Sequence, residues 1–215
     1  MPMNGGMRED PVVLGPTEEV PGRTFTAVGQ IERDRLILHG MLTDVIGVLL
    51  EADLGQRTVV PHEKLVWQVS DRTHRLLVCD EGRLRFHSRL CVVGFFGERH
   101  RNMDPSPLED ANTAIVAAFV DHPGILSYSS VEFGRGKWAN LVLHDDPSDR
   151  DYWRRNPLHT EAVRVLSPVH YRNVRIYNGE LTASLTDSPA ITLQRTKYFD
   201  YTGSKSWRAE RTLVG

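Results

Sequence analysis

The chain has 215 residues, 40% hydrophobic and 25% charged, with a formal net charge of −2 at pH 7. That composition suits one large or two small globular domains and, with a pI near 6.5, offers no bulk attraction to nucleic acid or to an acidic membrane surface. No apolar stretch approaches the roughly 20 residues of a membrane span. Met1–Gly22 has neither the basic start nor the hydrophobic core of a signal peptide. A cytoplasmic protein that engages neither membrane nor nucleic acid is therefore expected.

Met1–Gly22, rich in Gly, Pro and acidic residues, reads as a flexible lead-in. Residues 23–89 form a mixed α/β extension. Thr24–Val28 is a short β-branched and aromatic run. Leu38, Met41, Leu42, Val45 and Leu49 then recur at helical spacing, with Gly55 as the stop. Leu65–Val69 and Arg75–Cys79 read as strands, and Asp80-Glu81-Gly82 as a hairpin turn into Leu84–His87. His62, His74, His87 and His100 stand 12 or 13 residues apart, which matches no compact pair of metal ligands. Cys79 and Cys91 lie in apolar runs without CxxC spacing, so free thiols are the expectation and a single disulfide the alternative.

Residues 90–183 are better signposted. Leu90–Gly97 is nearly continuous apolar sequence, as in a strand covered on both faces. Ser106-Pro107-Leu108-Glu109 has the form of a capping box, and Leu108, Ala111, Ile115, Ala118 and Phe119 give the following helix one apolar stripe. His122-Pro123-Gly124 ends it. Ile125–Phe133 and Lys137–His144 form a hairpin through Gly134-Arg135-Gly136, which is too short for a dinucleotide loop. Asp145-Asp146-Pro147-Ser148 turns toward helix, Tyr171–Tyr177 alternates as a strand, and Asn178-Gly179 makes a turn. Strands are expected near 90–98, 125–133, 137–144 and 171–177, and helices near 107–121 and 157–166. Residues 184–215 read as a further strand or two and a tail.

A strand–helix–strand–strand–helix–strand order favours an α+β ferredoxin-like sheet with helices on one side. The other face then needs cover. An isologous homodimer, two sheets packed face to face as a dimeric α+β barrel, is the simplest solution.

The segment from Arg150 to Ala162 carries what chemistry the sequence offers. Asn156 caps a helix whose first residue is Pro157, which places His159 at its third position. There the helix dipole disfavours the imidazolium form. A neutral His159 can ligate a metal or haem iron or bond a substrate oxygen; equally, it can be a boundary histidine bonded to a carbonyl. Leu158, Ala162, Val165 and Leu166 are its expected buried stripe. On the strand 137–144, alternation sends Trp138, Asn140, Val142 and His144 to one face and Ala139, Leu141 and Leu143 to the other. The first set can line a pocket: Asn140 to orient an oxygen, His144 as acid or base, and Trp153 to stack a flat substrate. As plain structure, the same residues are strand surface and a hydrophobic plug.

Trp153 followed by Asn156-Pro157-Leu158-His159 resembles the Trp and Ser-Pro-x-His-type step of the dimeric α+β barrel superfamily, most closely its antibiotic-biosynthesis-monooxygenase-like members. The resemblance covers about residues 90–183. It departs by Asn at 156 and by a literal Ser-Pro-Val-His at 167–170, which reads as a helix exit because Pro168 cannot continue the helix. The resemblance implies a monooxygenase-like oxidoreductase, cofactor-independent or acting with or on haem. Its small-molecule substrate would be flat and mostly apolar, and His159, Trp153, Asn140 and His144 would form the site, His159 also as the cofactor ligand. A non-catalytic ligand-binding or dimerisation module is the alternative from another class.

Overall fold

A computed structural model describes residues 10–134, 136–185, 187 and 189–213. Among these residues the alternating and apolar segments become nine strands: β1 (Val12–Leu14), β2 (Lys64–Val69), β3 (Arg72–Val78), β4 (Leu90–Arg99), β5 (Ile125–Glu132), β6 (Lys137–His144), β7 (Tyr171–Leu181), β8 (Ile191–Asp200) and β9 (Trp207–Thr212). They form a single sheet in the order β1-β9-β8-β7-β4-β6-β5-β3-β2. The four expected strands sit together as β7-β4-β6-β5, every neighbouring pair antiparallel. The sheet is larger than such a unit, however. β3 and β2 extend it beyond β5, and β8, β9 and β1 extend it beyond β7. The molecule is thus mixed α+β with one large sheet.

Helix α1 (Val28–Asp53) lies on one face of that sheet. Its buried residues Ile31, Leu38, Met41, Leu42, Val45 and Leu49 fall three or four apart and join Val92, Phe96, Ala139, Leu141 and Leu143 in the main core. Gly94 on β4 makes the approach close, since a Cβ there would stand 2.7 Å from Leu38 Cδ1. A buried polar anchor fixes the helix. Asp34 accepts from Arg175 Nε at 2.6 Å and from the Tyr177 hydroxyl at 2.8 Å. Burial, and then the neighbouring Asp34 carboxylate, push the Tyr177 phenol well up from its ordinary pKa. The face expected to seek a second copy is therefore covered by the chain itself. The stated reason for a face-to-face homodimer falls with it, because its apolar residues are already out of water.

Several local expectations are corrected. Asp80-Glu81-Gly82 is no hairpin turn: the Asp80 side chain accepts from Arg83 N at 2.9 Å and caps α2 (Glu81–Phe86). Thr24–Thr26 is a single 3₁₀ turn leading into α1. The lead-in is tied down from residue 12 onward, where β1 pairs in parallel with β9 and buried Arg211 donates to the carbonyls of Gly15, Glu18 and Thr26. Helix α3 (Ser106–Ala117) starts one residue early. Ser106 bonds Asp104 rather than closing a capping box. Asn178-Gly179 lies inside β7 at a bulge, and a Cβ on Gly179 would be 2.3 Å from Thr192 O, so the glycine serves strand proximity rather than a turn.

The second helical region is α4 (Pro147–Trp153), α5 (Pro157–Glu161), a π-helical turn (Ala162–Leu166) and α6 (Ser167–His170). Pro168 does not end it. The wide π turn, with both Ser167 N and Oγ bonded to Ala162 O, comes just before the proline and accommodates its ring and missing N–H. Helices α3, α4 and α5 cover the sheet face opposite α1.

Candidate functional site

Strand alternation and two helix caps build the site. On β6, Asn140, Val142 and His144 point away from α1, toward the second set of helices. Asp146 caps α4 by accepting from Ser148 N at 2.6 Å, and this short helix carries Arg150 and Trp153, with Arg154 as its C-cap residue. Asn156 caps α5 by accepting from Leu158 N at 2.9 Å and His159 N at 3.4 Å, with Pro157 at the first position. The cap turns His159 inward. Leu158 and Val165, expected to be buried, are 38% and 56% exposed, while His159, Ala162 and Val163 line the interior space.

That space is a cavity of 230 Å³ whose wall includes all four singled-out residues: Asn140, His144, Trp153 and His159. The rest of the lining is chiefly apolar, from Val93 and Phe95 on β4 to Ile115 on α3 and Ile176 on β7. A second cavity, of 330 Å³, shares Leu108, Asn112, Tyr128, Asn140 and Tyr171 with the first and reaches toward Trp138. Arg75 and Arg99 flank the Trp138 ring at 5.1 and 5.4 Å from its centroid.

Trp153 is the hub of the deep end. Its ring lies 5.2 Å from Phe119, 5.0 Å from His122 and 5.9 Å from His159, centroid to centroid. Two histidines pack against it and His144 shares the cavity wall, and all three are lowered from the ordinary histidine value. Burial pushes His144 down to about 3, aided by nearby His122, Arg150 and Arg154. His159 is lowered by burial and then by Arg154, and His122 by burial. Nδ1 of His144 and of His159 and both ring nitrogens of His122 are buried without a protein partner. At neutral pH all three are uncharged, and His144, pushed furthest down, is the weakest base of the three.

Arg150 and Arg154 also line the cavity, a contribution missed at the sequence level although both stand in the segment singled out. Arg150 Nε donates to Asp151 at 3.0 Å and its Nη1 lies 3.9 Å from Cys91 Sγ. Arg154 donates to Asp151 at 3.3 Å and to Asn178 Oδ1 at 3.2 Å. The signal lay in their placement three residues before Trp153 and one after it, which only a known helix position could convert into a cavity wall. Tyr128, whose hydroxyl donates to Asn112 Oδ1 at 3.0 Å, was missed as well; β5 alternation alone would have found it.

The spaced histidines are dispersed. His74 pairs with Asp44 at 2.8 Å and His87 with Asp145 at 2.7 Å. Among the described residues no group of three or more His, Cys, Asp or Glu side chains could hold a metal ion. Cys79 and Cys91 are free, and among the described residues no helix is long and apolar enough to cross a membrane.

No family model matches the chain, and no curated protein matches it. Among solved structures it is similar to protein SO0527 from Shewanella oneidensis (11% identity, TM-score 0.37, 44% of this chain and 94% of that one). It is similar too to PA3566 from Pseudomonas aeruginosa (16% identity, TM-score 0.37, 43% and 94%). A third likeness is to an aldoxime dehydratase (12% identity, TM-score 0.31), where 66% of this chain spans 36% of the other. The first two are thus smaller than this protein and match less than half of it.

Proposed function

We propose that the cavity between the sheet and helices α3–α5 takes up a small, flat, mostly apolar organic molecule, and that the chain acts on it as an oxygenase-like enzyme without a resident cofactor. One observation carries this reading: Asn140, His144, Trp153 and His159 converge on one mostly apolar cavity, the mixture a ligand site needs. We read residues 90–181 as a ferredoxin-like unit of the dimeric α+β barrel type, extended on both edges and with α1 in the place of a partner sheet.

In the proposed chemistry Trp153 stacks the ligand, and Asn140 and His144 bond its oxygens. Neutral His159 takes a proton from an activated C–H through its unpartnered Nδ1. The resulting carbanion reduces dioxygen; for a methylene the balance is CH₂ + O₂ → C=O + H₂O. A non-catalytic binding role is the second reading, favoured by the low basicity of His144. Haem suits the site less well. His159 offers an imidazole, but a porphyrin is far larger than the two- or three-ring molecule proposed for the 230 Å³ space.

Calorimetry and an oxygen electrode, run on a panel of two- and three-ring phenols and anthrones, test the proposal. Saturable binding with oxygen uptake that His159→Ala abolishes is the expected result. Binding without uptake moves the function to the second reading, and no binding by any member refutes the cavity as a ligand site. Addition of haemin should give no Soret shift that depends on His159.

A further inference from the structure

One end of the same cavity is strongly cationic, although the chain as a whole is slightly acidic. Arg150 and Arg154 line the cavity itself. Lys197 stands on β8 opposite Ile176 and two residues before Phe199, both of which are cavity walls, so the lysine shares their face. Arg195, two residues further back on that face, pairs with Glu210 at 2.6 Å. The acids within this group are Asp151, shared by Arg150 and Arg154, and Glu210. Four cations therefore face two carboxylates. Among the described residues Lys197 makes no salt bridge.

The crowding has measurable consequences for the groups themselves. Arg154 is held below the ordinary arginine range by burial and then by Arg150. Lys197 is held below the ordinary lysine range by burial, then by Arg154 and Arg195. Like charges that are partly removed from water repel each other more than exposed ones do. An anion at this end would relieve that repulsion and accept charge-assisted hydrogen bonds from the two guanidinium groups. The rest of the wall, from Val93 to Phe199, is chiefly apolar, and its polar side chains, Asn140, His144 and His159 among them, carry no fixed positive charge at neutral pH.

We propose that Arg150, Arg154 and Lys197 form a head-group subsite, and that the ligand of this cavity is an aromatic carboxylic acid with its ring system among the apolar residues and its carboxylate at the α4–β8 end. This rests on the cavity being a ligand site, as argued above, and narrows its occupant from any flat apolar molecule to an anionic one. A carboxylate suits the geometry because its two oxygens match the planar fork of an arginine. Trp153, adjacent to Arg154 in sequence, would then lie against the ring that carries the acid.

Isothermal titration with 2-naphthoate and with its neutral isostere 2-naphthamide tests the subsite on the full chain. The acid should bind about tenfold or more tightly than the amide, the gain expected of hydrogen bonds to charged groups. Arg154→Gln and Lys197→Gln, both at partly exposed positions, should each weaken binding of the acid more than binding of the amide, so that the preference shrinks. Ile115→Trp, which fills the cavity from α3, should abolish binding of both. Equal affinity for acid and amide in the wild-type chain overturns the head-group subsite and leaves the cavity standing. A preference that survives both Gln variants also overturns it, because the carboxylate then sits elsewhere. Failure of both compounds to bind refutes the cavity as a ligand site, a result distinct from either of the others.

Discussion

Leu141 and Val142 are neighbours on β6, yet Leu141 has no exposed surface beneath α1 while Val142 is a half-buried wall of a cavity. The same contrast runs along the whole sheet. On the α1 face, leucines and valines interlock, Gly94 lets the helix approach, and the buried Asp34, Arg175 and Tyr177 side chains satisfy one another. On the opposite face, packing is incomplete, histidine nitrogens lack protein partners, and two arginines border an open interior. One face is closely packed, and the other encloses the cavity for which binding is proposed.

This contrast breaks first at Asp34. Asp34→Ala leaves the Arg175 guanidinium buried without its carboxylate, so urea unfolding should show a loss of about 3–5 kcal/mol. A loss under about 1 kcal/mol would mean that the trio is not what anchors α1. Leu38→Ala, on the same face, should cost about 2–5 kcal/mol because the tightly packed surroundings cannot collapse around the missing atoms. Val142→Ala, across the sheet, enlarges a cavity that already exists and should cost about 1 kcal/mol or less. Equal losses at Leu38 and Val142 would erase the distinction between the two faces.

Acid unfolding sharpens the same comparison. The ordinary histidine value is 6.5, and His144 in the fold is pushed down to about 3. Between those values the unfolded chain binds a proton that the native state refuses, so stability falls as pH drops, by about 1.4 kcal/mol per pH unit for that one proton. Above the unfolded value the effect vanishes. His144→Gln should flatten the slope of unfolding free energy against pH between 6.5 and 3 by about one proton. His122 and His159, shifted the same way, should retain the remainder. An unchanged slope would place the His144 ring in water.

Local signals decided much of what was legible. The α3 stripe of Leu108, Ala111, Ile115 and Phe119, the Asn156–Pro157 cap and the alternation along β6 each depend on residues close in sequence, and the structure has all three. Asp80-Glu81-Gly82 misled because an aspartate acceptor serves a hairpin turn and a helix cap equally well, and only the chain that follows chooses. Pro168 misled for a related reason: a proline ends a regular α-helix, but a π turn ahead of it removes the clash.

By itself, then, the sequence determined the four strands and the first helix of residues 90–183, to within a few residues, and which side chains of β6 share a face, because periodicity and capping are properties of neighbours along the chain. Tertiary structure alone decided that α1 occupies the sheet face a second copy was expected to cover, since a 26-residue amphipathic helix carries no local mark of the surface it will meet. Tertiary structure likewise brought Lys197 on β8 near Arg150 on α4 and Arg154 just past its end. Charges more than 40 positions apart in the sequence become neighbours only when strand register and helix placement are fixed together, and burial between them then makes their mutual repulsion strong enough to call for an anion.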